Sequence, residues 1–213
     1  MSLLDTIRGL LERSYRMETG LSALGSFVIG DRGYRSMSGQ SEHGARTLVR
    51  ETADGVRAAI YFPDELIRHL ERYPPQRGIG DENVDEFATF VEEIDHLLVL
   101  ADRHADGRPS TLFELELHAN VSKHLVLSRF LAVAGKPSLS PDERLWLRHH
   151  LFDKNRYCDG DASVRSRYRD ARRWAVRLLD ALPRIGKRHR IEALRAFHAA
   201  GAADKLELIG RLA

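Results

Sequence analysis

Two successive segments, residues 82–105 and 110–134, constrain this chain most. Both carry apolar residues at helical spacing, and both carry acids and histidines among them. The first contains Glu92-Glu93-Ile94-Asp95-His96. The second, after an Asp106-Gly107-Arg108-Pro109 break, contains Glu114-Leu115-Glu116-Leu117-His118, then Asn120 and His124. A helix that is apolar on most sides belongs in a core. Ionisable groups cost free energy to bury, so these need partners, a metal or a chemical task.

At about 100° per residue, Phe87, Phe90, Val91, Ile94, Leu97, Leu98 and Ala101 share one face of the first helix. Glu92 and His96, four apart, stack on another side, and Glu93 sits between the two. On the second helix Phe113, Leu117, Val121, Leu127 and Leu131 define the apolar face, with His124 inside it. Glu116, Asn120 and His124 form an i, i+4, i+8 stripe, and Glu114 and His118 pair on the opposite margin. The short connection predicts antiparallel neighbours whose side chains meet.

The rest of the chain suggests what surrounds this pair. Residues 2–16 read as an amphipathic helix docked on the protein's own core, because its polar face lacks the Lys and Arg enrichment of membrane anchors. Residues 20–62 are the β region. Ala23 to Gly30 reads as a strand and Ser36 to Gly44 as a polar loop; runs 46–52 and 56–62 form a hairpin around Ala53-Asp54-Gly55. From Pro63 the pattern is helical: 64–73, the two long segments, 141–152, 162–182, 188–199 and 202–212. The expected class is α+β, predominantly α-helical, with a small N-terminal antiparallel β-sheet packed on a multi-helix body. Residues 1–75 hold the first helix, the sheet and the following helix. Residues 76–213 form the helical body, in one domain or two.

With 213 residues, 43% of them hydrophobic, the chain can bury one sizeable core. No apolar run reaches the roughly 18 residues of a membrane span. Asp5, Arg8, Glu12 and Arg13 interrupt what a signal peptide would need as an apolar stretch. The single cysteine, Cys158, excludes an intramolecular disulfide and suits a reducing compartment, so a cytoplasmic location is expected. Charge is segregated: residues 81–120 hold 11 acids against 2 bases, and 141–198 hold 15 bases against 8 acids. Complementary surfaces of this kind predict self-association or a protein partner.

Glu92-Glu93-Ile94-Asp95-His96 resembles the zinc helix of zincin metalloproteases, His-Glu-x-x-His, with Glu92 in place of the first histidine. The resemblance implies His96 as a metal ligand, Glu92 as a harder substitute ligand and Glu93 as general base. Glu114 or Glu116 then falls at the spacing of a downstream carboxylate ligand, and His118 is the alternative. A carboxylate in the ligand set shifts preference toward harder ions, so zinc, manganese and iron are the candidates. Helical di-iron proteins also use Glu-x-x-His, but they need two copies and this chain has one clear copy.

Three functional readings follow. The plainest is a structural or interaction module in which the acids and histidines tie two core helices together. The second is a metal-binding, zincin-like hydrolase or an inactive relative, built on Glu92, His96, Glu116 or His118 with Glu93. The third is nucleic-acid binding through Arg165, Arg169, Arg172 and Arg173, which share one face of helix 162–182.

Overall fold

The computed structural model describes residues 2–38, 44–53, 55–132, 138–154 and 161–213. Helix α1 (Leu3–Tyr15) begins at Ser2, whose hydroxyl accepts the Asp5 amide, and ends where Arg16 turns left-handed at φ 61°. Its stripe of Ile7, Leu11 and Tyr15 is buried. The amphipathic face therefore lies on the protein's own core, against the helices introduced below as α4 and α8.

The sheet is mixed where the sequence predicts an antiparallel one. Of Ala23 to Gly30, Leu24–Phe27 forms a 3-10 turn, and only β1 (Val28–Ile29) is strand. Asp31–Ser38 is helix α2, although its polar residues read as loop. Tyr34 explains the difference: it is buried, and its ring stacks 4.3 Å from that of Tyr61, whose hydroxyl donates to Asp31 at 2.8 Å. One aromatic anchor outweighs weak local propensity. Residues 39–43, the rest of the predicted loop, lie outside the described residues. β2 (Arg46–Thr52) and β3 (Gly55–Tyr61) form the expected antiparallel hairpin, in register from Arg46↔Tyr61 to Thr52↔Gly55. β1 pairs with β3 in parallel, giving the order β1-β3-β2. The parallel pairing is possible because α2 and β2 intervene, so β3 returns in the direction of β1.

α3 (Asp64–Arg72) leads through Pro74 and Pro75 to α4 (Val84–Ala105), and α5 (Leu112–Leu131) follows. α4 buries residues on nearly every side, among them Phe87, Val91, Ile94, Leu98 and Val99. α5 opens with a capping box: Thr111 Oγ1 accepts the Glu114 amide, and the Glu114 carboxylate accepts the Thr111 amide. Glu92 pairs with Lys123, Asp95 with His118 and Arg103 with Glu114. Partners rise along α4 as they fall along α5, so the helices are antiparallel.

α6 (Pro141–Arg148) runs into a π-helical turn at His149–Asp153. α7 (Ala162–Ala181) lies along α5, where the buried small side chains of Ala171 and Ala175 allow a close approach. α8 (Lys187–Ala199) and α9 (Ala202–Leu212) are separated at Ala200-Gly201. The Arg103 guanidinium fastens this corner to the α4–α5 turn, donating to Pro109 O and Ala200 O at 2.9 Å each. One buried apolar cluster runs from Ile7 to Ile209 and crosses residue 75 without interruption. Among the described residues no helix is long and apolar enough to cross a membrane.

Candidate metal centre

Glu92 and His96 stand one turn apart on α4, and Glu116 faces them from α5. One ligand atom from each lies within 4.8 Å of the others. Of the ligands that the zincin resemblance implied, Glu92 and His96 are brought together with Glu116, one of the alternatives for the third position. Metal–oxygen and metal–nitrogen bonds of about 2.0–2.2 Å place donors roughly 3.0–3.5 Å apart, so small side-chain rotations would close the set on an ion.

The neighbours hold these groups in place. Lys123 Nζ, on α5, lies 2.6 Å from Glu92 Oε2. The Tyr168 hydroxyl, from α7, hydrogen-bonds to the Glu116 carboxylate. Thr47 Oγ1, on β2, is 2.8 Å from Glu93 Oε2, and the same oxygen lies 3.6 Å from His96 Nδ1. Glu93 is thus on the Nδ1 side of the ring. His96 Nε2 is buried and has no hydrogen-bond partner among the described residues. A buried nitrogen left without a partner calls for an explanation, and a metal supplies one. The group opens into a cleft of about 630 Å3 whose walls include Thr47, Leu100, Leu115 and Tyr168.

Electrostatics couples the three. Burial disfavours the His96 imidazolium, but Glu93, Glu92 and Glu116 outweigh it and hold its pKa up at about 9. Burial, then the Glu92 charge, pushes the Glu116 carboxyl up to about 7. Burial opposes ionisation of Glu92 too, yet Lys123 and His96 keep it below the usual carboxylate range. At neutral pH the set therefore holds protons that a cation must displace.

His118, the alternative ligand in the sequence reading, is not part of this group. Its Nδ1 lies 2.9 Å from both oxygens of Asp95, and its Nε2 lies 3.1 Å from His198 Nδ1. His198 Nε2 is in turn 2.9 Å from Asp102 Oδ2. The expected acid/histidine network between α4 and α5 is therefore present, and it extends to α8. The physical reason for the separation is helical phase: His118 is two residues beyond Glu116 and points to the other side of α5. Glu114 is likewise elsewhere, paired with Arg103 at 3.0 Å. His124 is half-buried, and burial pushes its imidazole down to about 4.

Thr47, Lys123, Tyr168, Asp102 and His198 were not singled out in the sequence. Only His198 left a usable signal, since Ala193, Leu194, Phe197 and His198 sit at core-facing spacing on α8. Arg169, Arg172 and Arg173 line a separate open cavity with Asp153 and Asp170, and Arg165 precedes them on the same helix. Arg172 donates to Phe152 O, and Arg173 lies 3.6 Å from Asp170. Cys158 lies outside the described residues.

Fold and site together define a mostly helical α+β protein with a three-residue carboxylate–imidazole set at the base of a cleft. Comparison with protein-family models, with curated proteins and with solved structures returns no match, so the functional reading rests on the geometry alone.

Proposed function

We propose that this protein binds one divalent first-row cation through Glu92, His96 and Glu116 and presents it to the cleft, in the manner of a metal-dependent hydrolase. The observation that carries this reading is the buried, unpartnered His96 Nε2 beside two carboxylates within 4.8 Å. Two carboxylates and one imidazole suit manganese, iron or zinc. Three protein donors leave coordination positions free for water or a ligand, which the ion would polarise. Glu93 then serves to orient His96 through Nδ1, because its oxygen is already shared between Thr47 and that ring. This differs from the general-base role that the zincin resemblance implies.

A structural reading has its own support. The chain Asp95–His118–His198–Asp102 joins α4, α5 and α8. Lys123 also neutralises Glu92 without any ion. Elemental analysis after dialysis against a weak chelator, followed by reconstitution, separates the two. Near one equivalent of manganese, iron or zinc, lost in His96→Ala and Glu116→Gln variants that keep their circular dichroism, supports the metal centre. An absence of uptake by the wild-type protein leaves a hydrogen-bonded structural module.

A further inference from the structure

The cleft does not end at Glu92, His96 and Glu116. A second cavity, of about 480 Å3, shares Val49, Leu100 and Ser110 with it and continues between the hairpin and the C-terminal half of α4. Thr47, at the start of β2, bonds Glu93, whereas Glu51 and Val56, near the turn, border the open cavity.

Register places Thr47, Val49 and Glu51 on one face with Ile60, Ala58 and Val56. On that face Ile60 is fully buried, while Val49 and Val56 are 49% and 42% exposed. The same apolar surface is covered at one end and uncovered at the other. Leu112, 60% exposed, borders the first cavity. Of the six large hydrophobic side chains exposed among the described residues, three thus border one groove, a concentration that marks a binding surface.

The lining narrows the choice of occupant. The groove runs along the face of the sheet and the side of α4; β2 is an edge strand, but its outward backbone groups lie in the plane of the sheet and not on this face. A peptide laid on the face would leave amides unpaired against Ala58, Leu97, Leu100 and Ala101, whereas a hydrocarbon has none to satisfy. Glu51, His104 and Arg108 border the end away from the carboxylate–imidazole set. At the other end stand the carboxylate–imidazole set and the Arg46 side of the cleft. The geometry points to an amphiphile whose aliphatic chain lies between the hairpin and α4 and whose acidic head meets the cation held by Glu92, His96 and Glu116. The inference rests on the metal reading above. From His96 to His104, α4 runs about 12 Å, which matches a chain of about ten carbons.

Isothermal titration of the Mn2+-loaded protein with decanoate and butanoate tests it. Each fully buried methylene tightens binding about fourfold, so the six that separate decanoate from butanoate set a ceiling of about a few thousandfold. With partial burial decanoate should still bind at least about thirtyfold more tightly. Ala101→Trp, which fills the groove, should shrink that ratio to about threefold while leaving Mn2+ stoichiometry unchanged. Val56→Glu, on the exposed hairpin, serves the same purpose if the first variant does not fold. Removal of Mn2+ should weaken decanoate. Equal affinity for the two acids in the Mn2+-loaded protein, or a ratio that survives the groove variants, overturns the inference and spares the metal reading. Should Mn2+ not load, the same titration is run on the zinc- or iron-loaded protein, and a protein that takes up none of the three ions fails at the earlier step and overturns both.

Discussion

His198 Nδ1 stands 3.1 Å from His118 Nε2, and the outer nitrogen of each ring faces a carboxylate, Asp95 for His118 and Asp102 for His198. Each outer nitrogen must carry a proton to meet an ionised acid. The two inner nitrogens then need one more proton between them, or two lone pairs would face each other. Burial, then the neighbouring His118, pushes His198 down to about 4. The Tyr15 ring from α1 lies tilted against that of His118, centroids 4.3 Å apart, Ser122 approaches His118, and Lys205 from α9 donates to His198 O.

Removing one ring from this chain strands the other partners. His198→Ala should cost about 2–4 kcal/mol in urea denaturation, since it leaves Asp102 and His118 Nε2 without their bonds. His198→Gln, able to donate to Asp102, should recover part of the loss. A cost below about 0.5 kcal/mol for the alanine variant would refute a stabilising role for the hydrogen-bonded chain.

Metal affinity should rise with pH. His96 (about 9) and Glu116 (about 7) both sit above their ordinary values, so the metal-free site is protonated below those values. Each displaced proton contributes roughly a tenfold gain in affinity per pH unit. Between pH 6 and 8 the Mn2+ dissociation constant should fall by about tenfold to a hundredfold per pH unit, steepest below 7. Titrations in buffers of different ionisation enthalpy count the released protons, and a pH-independent affinity contradicts the ligand set.

Lys123 competes with a cation for Glu92, at 2.6 Å. Lys123→Met should tighten Mn2+ binding by about tenfold, through loss of both the competition and the like charge. Weaker binding in this variant, with the fold intact, would show instead that Lys123 positions Glu92.

Glu93 and Thr47 are placed to orient the His96 ring and would not themselves be ligands. Glu93→Gln and Thr47→Val should each weaken metal binding by about 10–100-fold at unchanged stoichiometry. Complete loss of metal in Glu93→Gln would identify Glu93 as a ligand.

Arg103 is buried with Glu114 and joins two turns through Pro109 O and Ala200 O. Arg103→Met leaves the Glu114 charge and both carbonyls without this partner and should cost about 3–5 kcal/mol in thermal or urea unfolding. An unchanged midpoint would mean that the corner is held by packing alone.

Much of this arrangement was legible in the chain. The apolar periodicity of 82–105 and 110–134 marked the core helices, and the Asp106–Pro109 break set their antiparallel pairing. The zincin-like run Glu92-Glu93-Ile94-Asp95-His96 pointed to the candidate centre, with the third ligand left open between Glu114, Glu116 and His118. The short strand Val28–Ile29 and helix α2 were not legible, because a two-residue strand has no readable period and Tyr34 acts through a ring distant in sequence.

Sequence alone determined the centres of the apolar faces, Phe87, Val91, Ile94 and Leu98 on α4 and Leu117, Val121 and Leu127 on α5, since side-chain direction follows from helical phase within one element. It could not decide which buried acid meets which buried base. That choice depends on the rotation of one helix against another, and it separated His118 from His96 and joined it to His198. The supports for the candidate centre, Thr47, Lys123 and Tyr168, come from three elements and acquire their roles only through contact. Tertiary packing made those assignments, because it fixes the distances on which hydrogen bonds and shared protons depend.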